Sequence, residues 1–286
     1  MFRGAIGPAA LPVLFFLAVA VGCGPGNEED YLDRANIYFE QNQFQKAVEE
    51  CQSYLNRFPE GHRRDQMLYR QGEILYYALK QRGAAVKIFS QLVESFPESN
   101  YSLKAREIMA PVFRDEIRDY VRAILEYRWL MDHTHDLEKA AEYQYQVAHC
   151  YFLANWFEEA IQESQALIDT FPDAEMVEKA YDELGSAHFV LGRPAKALEA
   201  FRTAIEQFPE SVLRPSIEFK MAVCCEEMGR LTEALERYRA VRETYANQPA
   251  VDIRIKGVET RLAGRGGVSS AGAARGSRPR AGKGRR

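Results

Sequence analysis

The chain has 286 residues, with 37 lysines and arginines against 41 aspartates and glutamates, for a formal charge of −4. The balance is uneven: residues 264–286 hold seven basic residues and no acid, which leaves residues 24–263 near −12. The five cysteines include no paired Cys-x-x-Cys, which excludes a domain built on that zinc pattern.

Met1-Phe2-Arg3 opens with one positive charge, and an apolar run extends from Ala9 to Val21, interrupted by Pro12. As a helix, thirteen residues would rise roughly 20 Å, short of the roughly 30 Å hydrocarbon core of a bilayer. Residues 1–22 therefore read as a secretory signal and not as a membrane span. The run closes on Ala20-Val21-Gly22-Cys23, which resembles the bacterial lipobox. The resemblance implies cleavage before Cys23 and acylation of its thiol and new amino group, and more than one acyl chain anchors firmly. Residues 23–30 then form a lipidated cysteine and a flexible spacer. Gly24 is not the aspartate that retains enterobacterial lipoproteins in the inner membrane, which implies an outer-membrane anchor facing the periplasm.

A repeat follows. Ala47, Ala85, Ala123, Ala160, Ala197 and Ala234 are spaced by 38, 38, 37, 37 and 37 residues. Four residues after each come Cys51, Phe89, Tyr127, Ser164, Phe201 and Tyr238; seven after come Tyr54, Leu92, Leu130, Leu167, Ala204 and Val241. Offsets of four and seven share one helical face, so each alanine opens an apolar stripe. Polar breaks such as Gln41-Asn42-Gln43 and Leu191-Gly192-Arg193-Pro194 part this helix from the one before it. Phe58-Pro59, Phe96-Pro97, Phe171-Pro172 and Phe208-Pro209 stop it, because proline disfavours helix for the preceding residue. Each unit is thus helix, turn, helix, stop.

This pattern resembles the tetratricopeptide repeat, most closely at Tyr181-x2-Leu184-Gly185-x2-His188, Ala197, Phe201 and Pro209. The resemblance implies an all-α superhelical solenoid of about six helical hairpins over residues 31–263, with 250–263 as a capping helix. Small residues (Ala35, Ala148, Gly185, Ala222) mark the helix crossings. The units exceed the usual 34 residues by three or four, expected at the joints between units. The third is degenerate, with Pro111 in a small-residue place and His135 where proline is expected, so irregular packing is predicted around 105–137.

Lipobox, short spacer, long units and Phe-Pro endings together resemble the BamD family of outer-membrane assembly lipoproteins. That implies a lipid-anchored scaffold binding other envelope proteins, among them a barrel-forming assembly protein. The familiar members have five units against six here, and the basic tail is not a family feature. The alternative is an adaptor for another envelope machine, such as the Tol-Pal or division, pilus or secretion apparatus.

Tetratricopeptide grooves are lined by the first helix of each unit. Candidate peptide-groove residues are Phe39, Tyr77, Phe152 and Phe189 at matching places, with Asn36, Arg70, Tyr145, His149 and Asp182 nearby on the same helical faces. The plainer reading of the aromatics is packing between adjacent first helices.

No catalytic arrangement, cofactor or small-molecule substrate is expected. Asp132-His133-Thr134-His135-Asp136 is the densest set of potential metal ligands, but nothing at helical spacing accompanies it; it reads as a polar turn, with no metal. Cys51, Cys150, Cys224 and Cys225 have no spacing that demands a disulfide. Residues 264–286, almost all Gly, Ala, Ser, Pro, Arg and Lys, read as a disordered basic tail. Its expected contacts are anionic lipid, lipopolysaccharide or the acidic body, with no nucleic acid.

Overall fold

The six recurring alanines all become fully buried, as do Cys51, Phe89, Ser164 and Tyr238 four residues on, and Tyr54, Leu92 and Leu167 seven on. The computed structural model describes residues 27–274, with side chains as far as 264. Among the described residues there are thirteen α-helices and two short π-helical segments, with no strand. The fold is an all-α helical-repeat array, and it divides into two compact units, one ending at Ala85 and the other beginning at Val86.

The first unit holds α1 (Glu28–Glu40), α2 (Phe44–Arg57), α3 (Arg64–Glu73) and a π-helical segment, Ile74–Ala78; α4 (Arg82–Ser95) carries the boundary. Asn27 starts α1: its side chain accepts from the Asp30 amide at 3.0 Å, and the Asp30 carboxylate accepts from the Asn27 amide at 2.9 Å. This reciprocal pair satisfies two amides that a helix start leaves open. The Glu28 carboxylate accepts from the Tyr54 hydroxyl (2.8 Å) and the His62 amide (3.1 Å), pinning the first turn of α1 to α2 and the loop beyond it.

The second unit continues with α5 (Asn100–Val112), a π-helical segment Phe113–Ile117, α6 (Tyr120–Asp132), α7 (Leu137–Leu153), α8 (Phe157–Thr170), α9 (Val177–Val190), α10 (Pro194–Gln207), α11 (Arg214–Glu227), α12 (Leu231–Val241) and α13 (Gln248–Ala274). From α5 onward each helix packs on its successor, and α7 also touches α9. That is the nearest-neighbour stacking of a solenoid. Phe58, Phe171 and Phe208 end their helices at φ near −120°, outside the helical region that a following proline disfavours.

Five residues before every alanine the backbone turns left-handed, at Asn42, Lys80, Arg118, Asn155, Gly192 and Gly229. In the units spaced by 37, the amide following this residue donates to the carbonyl five back, as in Trp156 to Tyr151 and Arg193 to His188, and the first unit does the same from Gln43 to Tyr38. In the two spaced by 38 it reaches six back, Gln81 to Leu75 and Asp119 to Phe113. The residue that makes 38 of 37 therefore sits inside the first helix as a π-turn, and not at the joint with the other three beyond the usual 34. The same insertion corrects the reading of Pro111. Ala35, Ala148, Gly185 and Ala222 lie twelve residues before their alanines, but in the 38-residue units the buried small residue lies thirteen before, at Gly72 and Ala110. Pro111 is simply the next residue along α5.

Helix α13 runs from Gln248 to Ala274, beyond the boundary expected at 263. No proline follows Pro249 within it. The rest of the basic tail, the proposed signal and Cys23 lie outside the described residues. Cys51, Cys150, Cys224 and Cys225 are buried and free, their thiols pushed up by burial, to about 12 for the first three. Among the described residues no helix is long and apolar enough to cross a membrane.

Candidate binding groove

The first helix of each pair carries the candidate groove residues, because its opposite face is committed to the alanine-centred core. In the first unit Phe39 packs against Phe44, ring centroids 5.4 Å apart, and the Arg70 guanidinium lies 4.4 Å over the Phe39 ring. Arg70 also pairs with Glu73 at 2.7 Å. Asn36 is half-buried on the same helix as Phe39. Tyr77 differs: the π-turn swings it outward, so it is 52% exposed and meets Tyr76 edge-on. It does not share the half-buried place of Phe39, Phe152 and Phe189.

In the second unit a ladder of polar contacts joins successive first helices. Arg114 holds Asp115 at 2.7 Å and donates to Gln146 on α7. His149 on α7 meets Glu183 on α9 at 3.2 Å. Asp182 on α9 accepts from Lys220 on α11 through both oxygens, at 2.6 and 2.8 Å, and Ser186 lies 3.2 Å from the same ammonium. Glu226 on α11 ends the ladder, accepting from Arg261 of α13 at 2.9 Å and from Tyr238 at 2.8 Å, with Arg254 at 3.5 Å. Helix α13 thus occupies the place of a further first helix.

These charges are spent largely on one another. The Arg114 guanidinium holds the Asp115 carboxyl below the usual carboxylate range. Tyr145 stacks on His149, 5.9 Å between centroids, and burial reinforced by Glu183 raises its hydroxyl to about 12. Phe152 packs on Phe157 of α8, the second helix of its own hairpin, at 5.3 Å. Phe189 instead borders an opening of about 160 Å³, lined by Ser186, Phe189, Val190, Phe201, Lys220 and Val223. Of the candidate residues, the structure brings Phe39 together with Arg70, Tyr145 with His149, and Asp182 onto the same helix as Phe189.

Sequence reasoning missed Gln146, Glu183 and Lys220, which share one repeat place fourteen residues before their alanines. That shared spacing was the available signal. Their mixed chemistry (amide, acid, base) hid it, because they match partners on neighbouring helices and not one another.

Residues 132–136 form a capping turn. The His133 ring stacks on Trp129, 3.7 Å between centroids, and Asp136 accepts from the amides of Glu138 and Lys139 at the start of α7. Among the described residues no three His, Cys, Asp or Glu side chains are grouped to hold a metal ion.

Comparison with known proteins accords with this geometry. Family models described as tetratricopeptide repeat match residues 31–61, 66–99 and 191–253. Among solved structures, the chain is similar to a tetratricopeptide repeat protein from Parabacteroides merdae, at 14% identity and TM-score 0.53, covering 82% of this chain and 87% of that one. It is similar to the apo form of RapI at 14% identity and TM-score 0.58, covering 83% and 72%. PilW, a type IV pilus biogenesis factor, matches at 13% identity and TM-score 0.51, covering 79% and 99%. At these identities the likeness is one of fold. No curated protein matches the chain by sequence. Residues 31–61, 66–99 and 191–253 carry tetratricopeptide repeats, and such repeats imply a protein–protein interaction scaffold.

Proposed function

We infer that this protein is a lipid-anchored scaffold of the bacterial envelope, held at Cys23 and binding partner proteins along its first-helix face in a BamD-like role. The observation that carries the scaffold part is the row of first helices, joined rung by rung from Arg114 to Glu226, which leaves an ordered face outside the core. The anchor rests on the lipobox-like Ala20-Val21-Gly22-Cys23. The BamD-like role rests on that anchor combined with units longer than the usual repeat.

Cys23→Ala should release the protein from membranes with its helix content unchanged, as read by fractionation, acyl labelling and circular dichroism. Membrane association that survives the substitution would overturn the anchor. Affinity purification of the intact protein from solubilised envelopes should recover a barrel-forming assembly protein. Recovery of division, pilus or secretion components instead would reassign the machine and leave the scaffold standing.

A further inference from the structure

The opening between α9 and α11 differs in chemistry from the polar ladder beside it. Five of its six lining residues present carbon to the space: Phe189 and Val190 from α9, Val223 from α11, Phe201 from α10 beneath, and the methylenes of Lys220. Beside it, Gly185 stands at the helix crossing. A Cβ there would come within 2.5 Å of the Phe201 ring, so glycine alone lets that ring lie under α9. The Lys220 ammonium is drawn to one rim by Asp182 and Ser186 and lies 5.8 Å from the Phe201 centroid. Val190 at the mouth is 52% exposed, and Leu153, at the equivalent place on α7, is 37% exposed. A volume of about 160 Å³ suits one leucine- or phenylalanine-sized side chain and is too small for a whole helix face.

Charge narrows the occupant. The first helices around the opening, α7, α9 and α11, carry eight carboxylates against Lys139, Lys179, Arg214 and Lys220. A segment lying over these helices therefore meets a negative field that favours lysine and arginine. The chain's own basic tail meets the charge requirement but not the shape: beyond Val268 it has no apolar side chain larger than alanine or proline.

We propose that this opening is an anchor pocket for one large apolar side chain of a partner protein, carried on an extended segment flanked by basic residues. The proposal rests on the scaffold reading above and adds to it the chemistry of the bound segment.

The test uses the full-length protein and fluorescein-labelled peptides with a central leucine flanked by lysines, compared with versions that replace the leucine by serine or the lysines by glutamates. Binding is followed by fluorescence anisotropy. The leucine–lysine peptide should bind at least about tenfold more tightly than either control, the scale that burying one such side chain supplies. Val190→Lys at the mouth and Val223→Phe, which fills the space, should each remove the leucine preference, with circular dichroism verifying the fold. Equal binding of the leucine and serine peptides would overturn the pocket, and tighter binding of the glutamate peptide would overturn the charge assignment. Displacement of the leucine–lysine peptide by a synthetic peptide of residues 275–286 would make the tail the occupant. A partner that co-purifies equally with wild type and Val190→Lys would overturn the pocket while leaving the scaffold reading intact.

Discussion

Single residues decide how closely the helices of this array can approach. Gly185 is the sharpest case, since a methyl group there would overlap the ring of Phe201. Gly185→Ala should lower stability by about 1–3 kcal/mol, the usual cost of overpacking a filled site, read as a fall in the urea midpoint with little change in slope. Ionisable residues set a different limit. Burial raises the hydroxyls of Tyr54 and Tyr145 to about 12, and Glu28 reinforces the effect at Tyr54. A phenol whose folded value is raised contributes its full stability below the unfolded value of about 10, and loses it as pH rises toward 12. Stability should therefore decline between about pH 10 and 12, and ultraviolet difference spectra should show these two tyrosines ionising later than exposed ones. Tyr54→Phe, which leaves Glu28 without its hydroxyl partner, should flatten that decline.

At the level of elements, the two π-turns explain a numerical oddity of the chain. Units spaced by 38 carry one more residue than those spaced by 37, and the wide turn absorbs it without disturbing the buried alanine. Deleting Tyr77, which is half exposed at such a turn, should convert Ile74–Ala78 to ordinary helix and change stability by about 1 kcal/mol or less. Deleting Tyr151 from the regular helix α7 should instead rotate its last turn out of register and unfold that hairpin, as loss of cooperative melting would reveal. The hairpins themselves were legible in the sequence because burial repeats: the alanine and the residues four and seven beyond it face the same way in every unit. The π-turns were not legible, since an insertion shifts the count by one wherever it falls between two alanines. Gly72 and Ala110 gave the only hint, one place early. The groove was legible as a row but not as a set of contacts. Whether Asp182 meets solvent or Lys220 depends on which helices become neighbours, and that is a property of stacking.

Across the whole molecule, the repeats supply an ordered surface, and under the proposed function the sequence before them supplies its address. The acidic concentration over residues 137–190 was hidden within a net charge of only −4, because the basic tail offsets it. The capping of α1 has a consequence for where such a scaffold can work. Asn27 fixes the start of the helix, and Glu28 ties it to Tyr54 and the His62 amide, so nothing after Asn27 can unwind to serve as slack. Between an acylated Cys23 and Glu28 the backbone can stretch to about 17 Å at most. On the proposed acylation, a leash this short would keep the first hairpin within the headgroup layer's reach, where it would meet partners emerging from the bilayer before any that diffuse through the periplasm. Inserting twenty flexible residues after Cys23 should preserve membrane fractionation yet lower recovery of a membrane-embedded partner. Unchanged recovery would mean that proximity to the lipid is irrelevant to the encounter.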